Sequence, residues 1–246
     1  MRSLEREYDA ILQRELGCRA AWLPVAAQVE IGDYGVISRG IFSKVGNVAR
    51  EFGVAMETSD GAPVRLNFVS AGAKLVRFAA GAQVPAFTAG VGGQGRLDVQ
   101  FSAASSFILK SQEVTQRQLD NVGQVGRVIG EKHREQWRFL KYYVVRKVLT
   151  GKDVVCISTR SADTTISFAG SVDALRLVDG AGAHAGVDVA WNKEVGLEVI
   201  GRSGPIGLQL FRVRWIDNAV AFSFSEDGGD DYVETDDPGA DLDDTI

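Results

Sequence analysis

Cysteine and histidine, the side chains most often used for nucleophilic or metal chemistry, are few in this chain of 246 residues. The chain contains Cys18, Cys156, His133 and His184. These residues match no familiar metal-ligand spacing, and no local motif marks a Cys–His nucleophile pair. A pair that meets only in the folded chain stays open, since such partners need not be close in sequence. We predict that the protein is not an enzyme and uses no cofactor or metal.

A glycine-rich stretch, Gly90 to Gly95, has the G-x-G-x-x-G spacing of a dinucleotide-binding loop. That chemistry requires a strand before the loop and a helix after it, so that phosphate meets the helix N-terminus. Here an alternating strand pattern follows the last glycine directly. The stretch is therefore interpreted as the tip of a hairpin.

The third candidate chemistry is cationic and lies in residues 131–150, EKHREQWRFLKYYVVRKVLT. The spacing of Trp137, Leu140, Val144 and Val148 predicts a helix with one core-facing stripe. The cations beside this stripe are the candidate lipid-binding residues: Arg134, Arg138, Lys141, Arg146 and Lys147. They form either a solvated edge or a docking surface for an anionic membrane, and the sequence leaves both open.

Charge is distributed unevenly along the chain. Residues 226–246 hold ten acidic residues and no Lys or Arg. Removing these ten from the 32 acidic residues leaves 22 against 27 Lys and Arg, a formal charge of +5 for residues 1–225. We predict one domain at 1–225 and an acidic, flexible tail at 226–246 that either folds back over the basic body or stays solvated. The modest surplus and the missing recognition motif argue against nucleic acid as a partner.

The starting compartment is predicted to be the cytoplasm. The first residues are too charged for a secretory signal, and no apolar run approaches the ~20 residues of a membrane-spanning helix. Two cysteines make no disulfide framework, so nothing requires an oxidising compartment.

Two stretches between residues 62 and 110 alternate apolar and polar residues with the period of a β-strand. The uncharged residues 78–95 lie between them. The second stretch, 96–109, is longer than the roughly 9–11 residues that a tilted strand needs to cross a bilayer. Its candidate membrane-facing residues are Leu97, Val99, Phe101, Phe107 and Leu109. The same pattern fits a long strand packed on a soluble core, and the sequence does not separate the two.

The remaining patterns predict an α+β fold. An amphipathic helix is expected at 3–16, and a helical segment interrupted by glycines at 114–129. Short strands are expected at 154–157, 164–168, 172–178, 187–191, 195–200, 208–215 and 220–224. Two strand groups with helices inserted between them indicate a single twisted antiparallel sheet with long hairpins.

This order of elements resembles the pore-forming domain of the gasdermin family. The resemblance rests on the leading helix 3–16, the alternating pair 62–110, the helices 112–150, the passage RKVLTGKDVVCI at 146–157, and the strands that end with Leu208–Trp215. It implies a cytosolic precursor that binds acidic lipids, forms a homo-oligomer and extends two hairpins into a membrane-spanning barrel. It also implies restraint by a C-terminal segment, usually released by a protease.

The chain departs from the family pattern at two places. We expect no large C-terminal repressor domain of the kind that animal members have and short bacterial members lack, which leaves the acidic tail as the candidate inhibitor. Bacterial members often carry a lipid-modified cysteine near the N-terminus, whereas Cys18 here follows the first predicted helix. The alternative to a pore-forming effector is a soluble, non-enzymatic α+β binding or assembly module.

Overall fold

The structure is a computed structural model. It describes residues 4–22, 24–38, 40–79, 94–104, 106–135, 142–171, 188–189, 195–216, 219–226 and 229–234. The helices among these residues are α1 (Leu4–Leu16), α2 (Val48–Phe52) and α3 (Val122–Glu135). The strands are β1 (Arg19–Ala20), β2 (Asp33–Ser38), β3 (Ile41–Asn47), β4 (Thr58–Asp60), β5 (Val64–Val69), β6 (Ala73–Ala79), β7 (Gln94–Phe101), β8 (Phe107–Leu119), β9 (Tyr143–Thr159), β10 (Thr164–Ser171), β11 (Asp188–Val189), β12 (Val195–Ile216), β13 (Ala219–Glu226) and β14 (Gly229–Glu234).

The predicted α+β class is confirmed: the fold has mainly antiparallel strands and a few helices. Among the described residues the strands fall into two sheets, where the sequence suggested one. The chain also divides into two compact units. The first comprises 1–4, 63–114 and 150–204, and the second comprises 5–62, 115–149 and 205–246.

The second unit is built on strands in the order β14-β13-β12-β9-β2-β3. Adjacent residues of β9 belong to two different apolar clusters. Val144 belongs to a cluster with Phe211 of β12 and Ile129 of α3. Val145 belongs to another cluster, with Leu210 of β12. Because successive residues of a strand point to opposite faces, the sheet is buried on both sides around these residues of β9 and β12.

The leading helix predicted at 3–16 is confirmed as α1, Leu4–Leu16. Helix α2 is not among the helices predicted from the sequence. Asn47 ends β3 and caps α2, where its side-chain oxygen accepts hydrogen bonds from Ala49 N (3.0 Å) and Arg50 N (3.3 Å). Gly53 ends the helix in the left-handed conformation, with φ of 67°. An asparagine cap followed by a C-terminal glycine was the signal that could have indicated this helix.

The predicted helix at 131–150 is wrong from residue 143 onward. Helix α3 ends at Glu135, and Tyr143–Thr159 form strand β9. The sequence of β9 is rich in β-branched and aromatic residues, which favour a central strand. The glycine interruptions were also overestimated: α3 continues through Gly126 and Gly130, both of which are buried.

The prediction of helix at 114–119 and of one strand at 96–109 is corrected as well. Strand β7 ends at Phe101, and β8 runs from Phe107 to Leu119. A bend of small residues separates them, and Ser102 N donates a hydrogen bond to Gly72 O (2.8 Å) there. Residues 117–119 stay extended because they pair with β4, with Leu119 opposite Thr58.

The later strands agree with the sequence where they are described. The predictions at 154–157, 164–168 and 220–224 fall in β9, β10 and β13, and those at 195–200 and 208–215 form one strand, β12. Residues 172–178 lie outside the described part, and only 188–189 of 187–191 lie inside it. In the predicted acidic tail, Gly229–Glu234 pair with β13 as β14. The boundary between a body at 1–225 and a tail at 226–246 stays a prediction.

Candidate functional site

The four-stranded sheet of the first unit brings two hairpin strands side by side. Its order is β11-β10-β7-β6, and its pairings are antiparallel. Strands β7 and β10 are in register over their full lengths, from Gln94 opposite Ser171 to Phe101 opposite Thr164. Two strands that are distant in sequence therefore share one continuous surface.

The register places apolar residues of β7 opposite apolar residues of β10, and polar residues opposite polar ones. Val99 is opposite Ile166, and both are fully buried. The adjacent pair, Gln100 and Thr165, is exposed. Because opposed residues of an antiparallel pair lie on the same face, apolar positions of the two strands share one face and polar positions share the other.

The sequence predicted β10 as a strand, but not as the second half of this surface. Thr165 and Ser167 alternate with Ile166 and Phe168 along it, with the same period as β7. That alternation could have indicated a second amphipathic strand. The pairing of the two strands, however, joins positions far apart in the chain, and no local pattern specifies it.

The outer strand β6 follows the pattern only in part. Leu75 is opposite Val99, which extends the apolar row. Further along, Arg77 is opposite Leu97, whereas β10 supplies Phe168 at that position. The amphipathic pattern is therefore strongest in the β7–β10 pair.

Two of the candidate membrane-facing residues on β7 are not exposed on a free surface. Val99 and Phe101 of β7 are buried, as is their neighbour Ile166 on β10. Asp98, on the other face of β7, is buried as well and has an interaction partner. In this conformation the apolar face of β7 is part of the protein core. The side chain of Leu97 lies outside the described side chains.

Phe107 and Leu109 belong to a different strand pair. They lie on β8, where Leu109 is opposite Phe68 of β5. Ile108 and Lys110 on the other face of β8 are also buried. This part of β8 is thus buried on both faces, and Phe107 and Leu109 do not continue the amphipathic surface of β7.

The predicted cationic stripe is not brought together as a helix face. Arg134 lies near the end of α3, whereas Arg146 and Lys147 lie on β9 and are partly buried. Consecutive residues of a strand point to opposite faces. Arg138 and Lys141 lie outside the described residues, so the structure leaves the lipid-binding prediction for these five cations untested.

The cysteines have the properties of core residues. Burial raises the pKa of the Cys18 thiol and that of the Cys156 thiol to about 12 each. A thiol with such a pKa is almost wholly protonated at neutral pH and is a poor nucleophile. Within the described residues no group of three or more His, Cys, Asp and Glu side chains could hold a metal ion. His184 lies outside that part of the chain.

Within the same described ranges, no helix combines the length and hydropathy needed to cross a bilayer. Comparison of the sequence with protein-family models gives no match, and comparison with curated proteins gives none at significance. Among solved structures the chain is similar to a bacterial gasdermin from Bradyrhizobium tropiciagri, with 14% sequence identity and a TM-score of 0.36. That similarity covers 88% of this chain and 90% of the other. A likeness at this TM-score decides neither fold nor function.

Proposed function

We propose that this protein is a pore-forming effector of membranes. In this proposal a cytoplasmic chain moves to an acidic-lipid membrane on activation, forms a homo-oligomer, and inserts two neighbouring β-hairpins. The first hairpin is β6 with β7, and the second is led by β10. The observation that carries the proposal is the register of β7 with β10, which aligns their apolar positions on one face and their polar positions on the other.

Such a surface has the pattern that a membrane-spanning sheet needs, apolar toward lipid and polar toward a water-filled interior. Val99 and Ile166 now lie against protein, so insertion exchanges a protein core for a lipid environment. The apolar side chains stay out of water, but lipid replaces protein around them. Because every backbone group in the bilayer must be paired, the outer strands β6 and β11 then require neighbours from other copies.

The strands must lengthen to span a bilayer. β7 and β10 have 8 residues each, which at about 3.4 Å per residue is about 27 Å, slightly less than the roughly 30 Å hydrocarbon core before any tilt. The adjoining sequences differ in their suitability for this. Residues 80–93 carry no charge, whereas 172–187 include Asp173, Arg176 and Asp179. We therefore expect the first hairpin to cross more readily than the second.

Attraction to acidic lipid is assigned to the basic body, with Arg134, Arg138, Lys141, Arg146 and Lys147 as candidate contacts. The ten acidic residues of 226–246 are the candidate restraint, released by a protease or by another trigger. A formal charge of +5 against -10 favours contact between body and tail at low salt.

Dye release from liposomes tests this function. Full-length protein and a chain ending at Glu234, which keeps β14 intact, are added to vesicles with and without anionic lipid. Release that depends on anionic lipid is expected, and it should be faster without residues 235–246. The Arg134→Glu/Arg138→Glu/Lys141→Glu variant should bind these vesicles more weakly. Arg160→Glu, at an exposed position between β9 and β10, serves as control. No release from either chain at any lipid charge would refute the pore function.

A second candidate function is a soluble α+β binding or assembly module. The burial of Val99, Phe101 and Ile166 favours it, because these residues already have a protein core to pack in. Such a module would leave vesicles intact, so the same experiment separates the two functions.

A further inference from the structure

A short N-terminal segment covers part of strand β12 in the second unit. We call residues 17–25 the strap; its Leu23 lies outside the described residues. Arg19 and Ala20 pair with Leu208 and Gly207. Beyond this pair, Ala21 N donates to Ile206 O (3.2 Å). The strap therefore occupies the place of a strand beside residues 206–208, ahead of the point where β13 begins to pair at Phe211.

Helix α1 holds the strap through one buried carboxylate. Asp9 Oδ1 accepts a hydrogen bond from Ala20 N (2.9 Å). Asp9 Oδ2 accepts from Arg19 Nη1 (2.8 Å) and Gln13 Nε2 (2.6 Å). Tyr8 adds a ring contact with Trp22, at 6.1 Å between centroids. These contacts fix the strap to helix α1.

Several features destabilise the strap in this position. Val25 N donates a hydrogen bond to Pro205 O (2.7 Å), but Val25 adopts a left-handed conformation there, with φ of 59°. A β-branched residue is strained there. Arg19 Nε and Gln209 Oε1 are buried without a hydrogen-bond partner among the described residues. Burial also raises the pKa of Asp9, so its charged form is disfavoured where it lies. The strap is held by specific contacts, but it also carries strain and unpaired polar atoms.

We propose that the strap is an autoinhibitory cover, which must leave β12 before the chain assembles with a second copy. Uncovered strand edges present unpaired N–H and C=O groups that readily pair with another chain. Release would expose such groups at residues 205–208. In an oligomer, a strand of a neighbouring copy could then pair with them. This inference rests on the proposed pore function for its biological role, but not for its detection.

The structure offers a covalent lock for the strap. A Cβ placed on Gly207 would lie 3.6 Å from Cys18 Cβ and 2.6 Å from Cys18 Sγ. The first distance is within the ~3.5–4.5 Å between Cβ atoms of a disulfide. In the Gly207→Cys variant two thiols are oxidised, for example by diamide, which takes up the two electrons and two protons as the S–S bond forms. The double variant Cys18→Ser/Gly207→Cys cannot form this bond and is the matched control.

Dye release is measured for oxidised and reduced full-length Gly207→Cys. We expect release about tenfold slower or more in the oxidised form, because the lock removes the open population, and recovery on reduction. The control should not respond to oxidation. If the reduced form releases dye, equal release from oxidised Gly207→Cys, with the disulfide verified by mass, would overturn the strap proposal.

A second measurement needs no leakage and no substitution at Gly207. Hydrogen exchange at the amides of Ala20 and Ala21 is followed in the wild-type chain with and without anionic vesicles, and in Asp9→Ala. Faster exchange on vesicle binding, and in Asp9→Ala without vesicles, supports release of the strap. Unchanged exchange in vesicle-bound protein would overturn it. If no form leaks but exchange accelerates, the pore function fails and the strap proposal stands.

Discussion

The two sheets of this protein differ in how their faces are covered. The sheet of the second unit has separate apolar clusters on its two sides, to which Val144 and Val145 contribute respectively. The β7–β10 pair of the first unit instead alternates buried positions with exposed ones such as Gln100 and Thr165. Around β9 and β12 the sheet of the second unit has apolar packing to lose on both sides if it moves. A sheet with one apolar face can exchange one apolar environment for another, which is why the proposed insertion involves the sheet of the first unit.

The largest expected effect is on the scaffold. Phe211→Ala removes a fully buried ring from the second unit. The free energy of unfolding should fall by about 3–5 kcal/mol, from lost burial and the cavity left behind. Urea denaturation measures it. Val45→Ala is the control, because Val45 is 54% exposed; similar losses for both variants would contradict the two-sided core.

The next largest effect is expected on β10, where two neighbouring residues test whether only one face of the strand is buried. Ile166 is buried, whereas Thr165 is exposed. Ile166→Ala should lower the free energy of unfolding by about 2–5 kcal/mol, and Thr165→Ala should change it little. Urea denaturation of both variants decides this. Equal effects would mean that β10 is not amphipathic in the folded chain, and the proposed inserting surface would lose its basis.

A charge in the first connecting segment should affect insertion. Ala86→Asp and Ala89→Asp place acids in the uncharged stretch 80–93. Each should slow dye release strongly, since a charge at the bilayer centre costs about 2.5–3.5 kcal/mol on insertion scales. Ala104→Asp, at an exposed position between β7 and β8, is the control. Normal release by all three variants would show that residues 80–93 do not enter the membrane. Phe101 and Leu109 are unsuitable sites for this test, because both side chains are buried and a charge there would destabilise the folded chain.

The smallest expected effect is a pH dependence at the strap. Burial raises the pKa of Asp9 above its ordinary value of 3.8, against the opposing hydrogen bond from Ala20 and the charge of Arg19. The folded chain thus binds this proton more tightly than the unfolded chain. The contribution of Asp9 to stability is therefore fully present below pH 3.8 and is lost as the pH rises through the folded-state pKa.

Thermal melts of wild type and Asp9→Asn, paired at each pH from 3.8 to neutrality, measure the effect. The Tm of wild type minus that of Asp9→Asn should decrease as the pH rises toward neutrality, because only the wild type titrates here. A difference that stays constant or increases with pH would show that the pKa of Asp9 is not raised.

Much of the local structure could be predicted from the sequence because it depends on short-range periodicity. The spacing of Leu4, Tyr8 and Leu12 indicated α1, and the alternation near Val99 indicated β7. Residues 143–150 were assigned to a helix because their apolar spacing also fits 3.6 residues per turn. The β-branched content favoured a strand, and burial on both faces in a central sheet decided it.

The sequence predicts each strand of the candidate site, but not the pairing between them. Composition and alternation by themselves determined an α+β chain with a basic body, an acidic C-terminal stretch and an amphipathic strand at β7, since these depend only on residue type and order. The tertiary structure decided that β7 pairs with β10, that Phe107 and Leu109 lie on a different strand, and that a strap beside Cys18 covers β12. Such pairings depend on which distant backbone groups satisfy one another's hydrogen bonds. No local pattern carries that information.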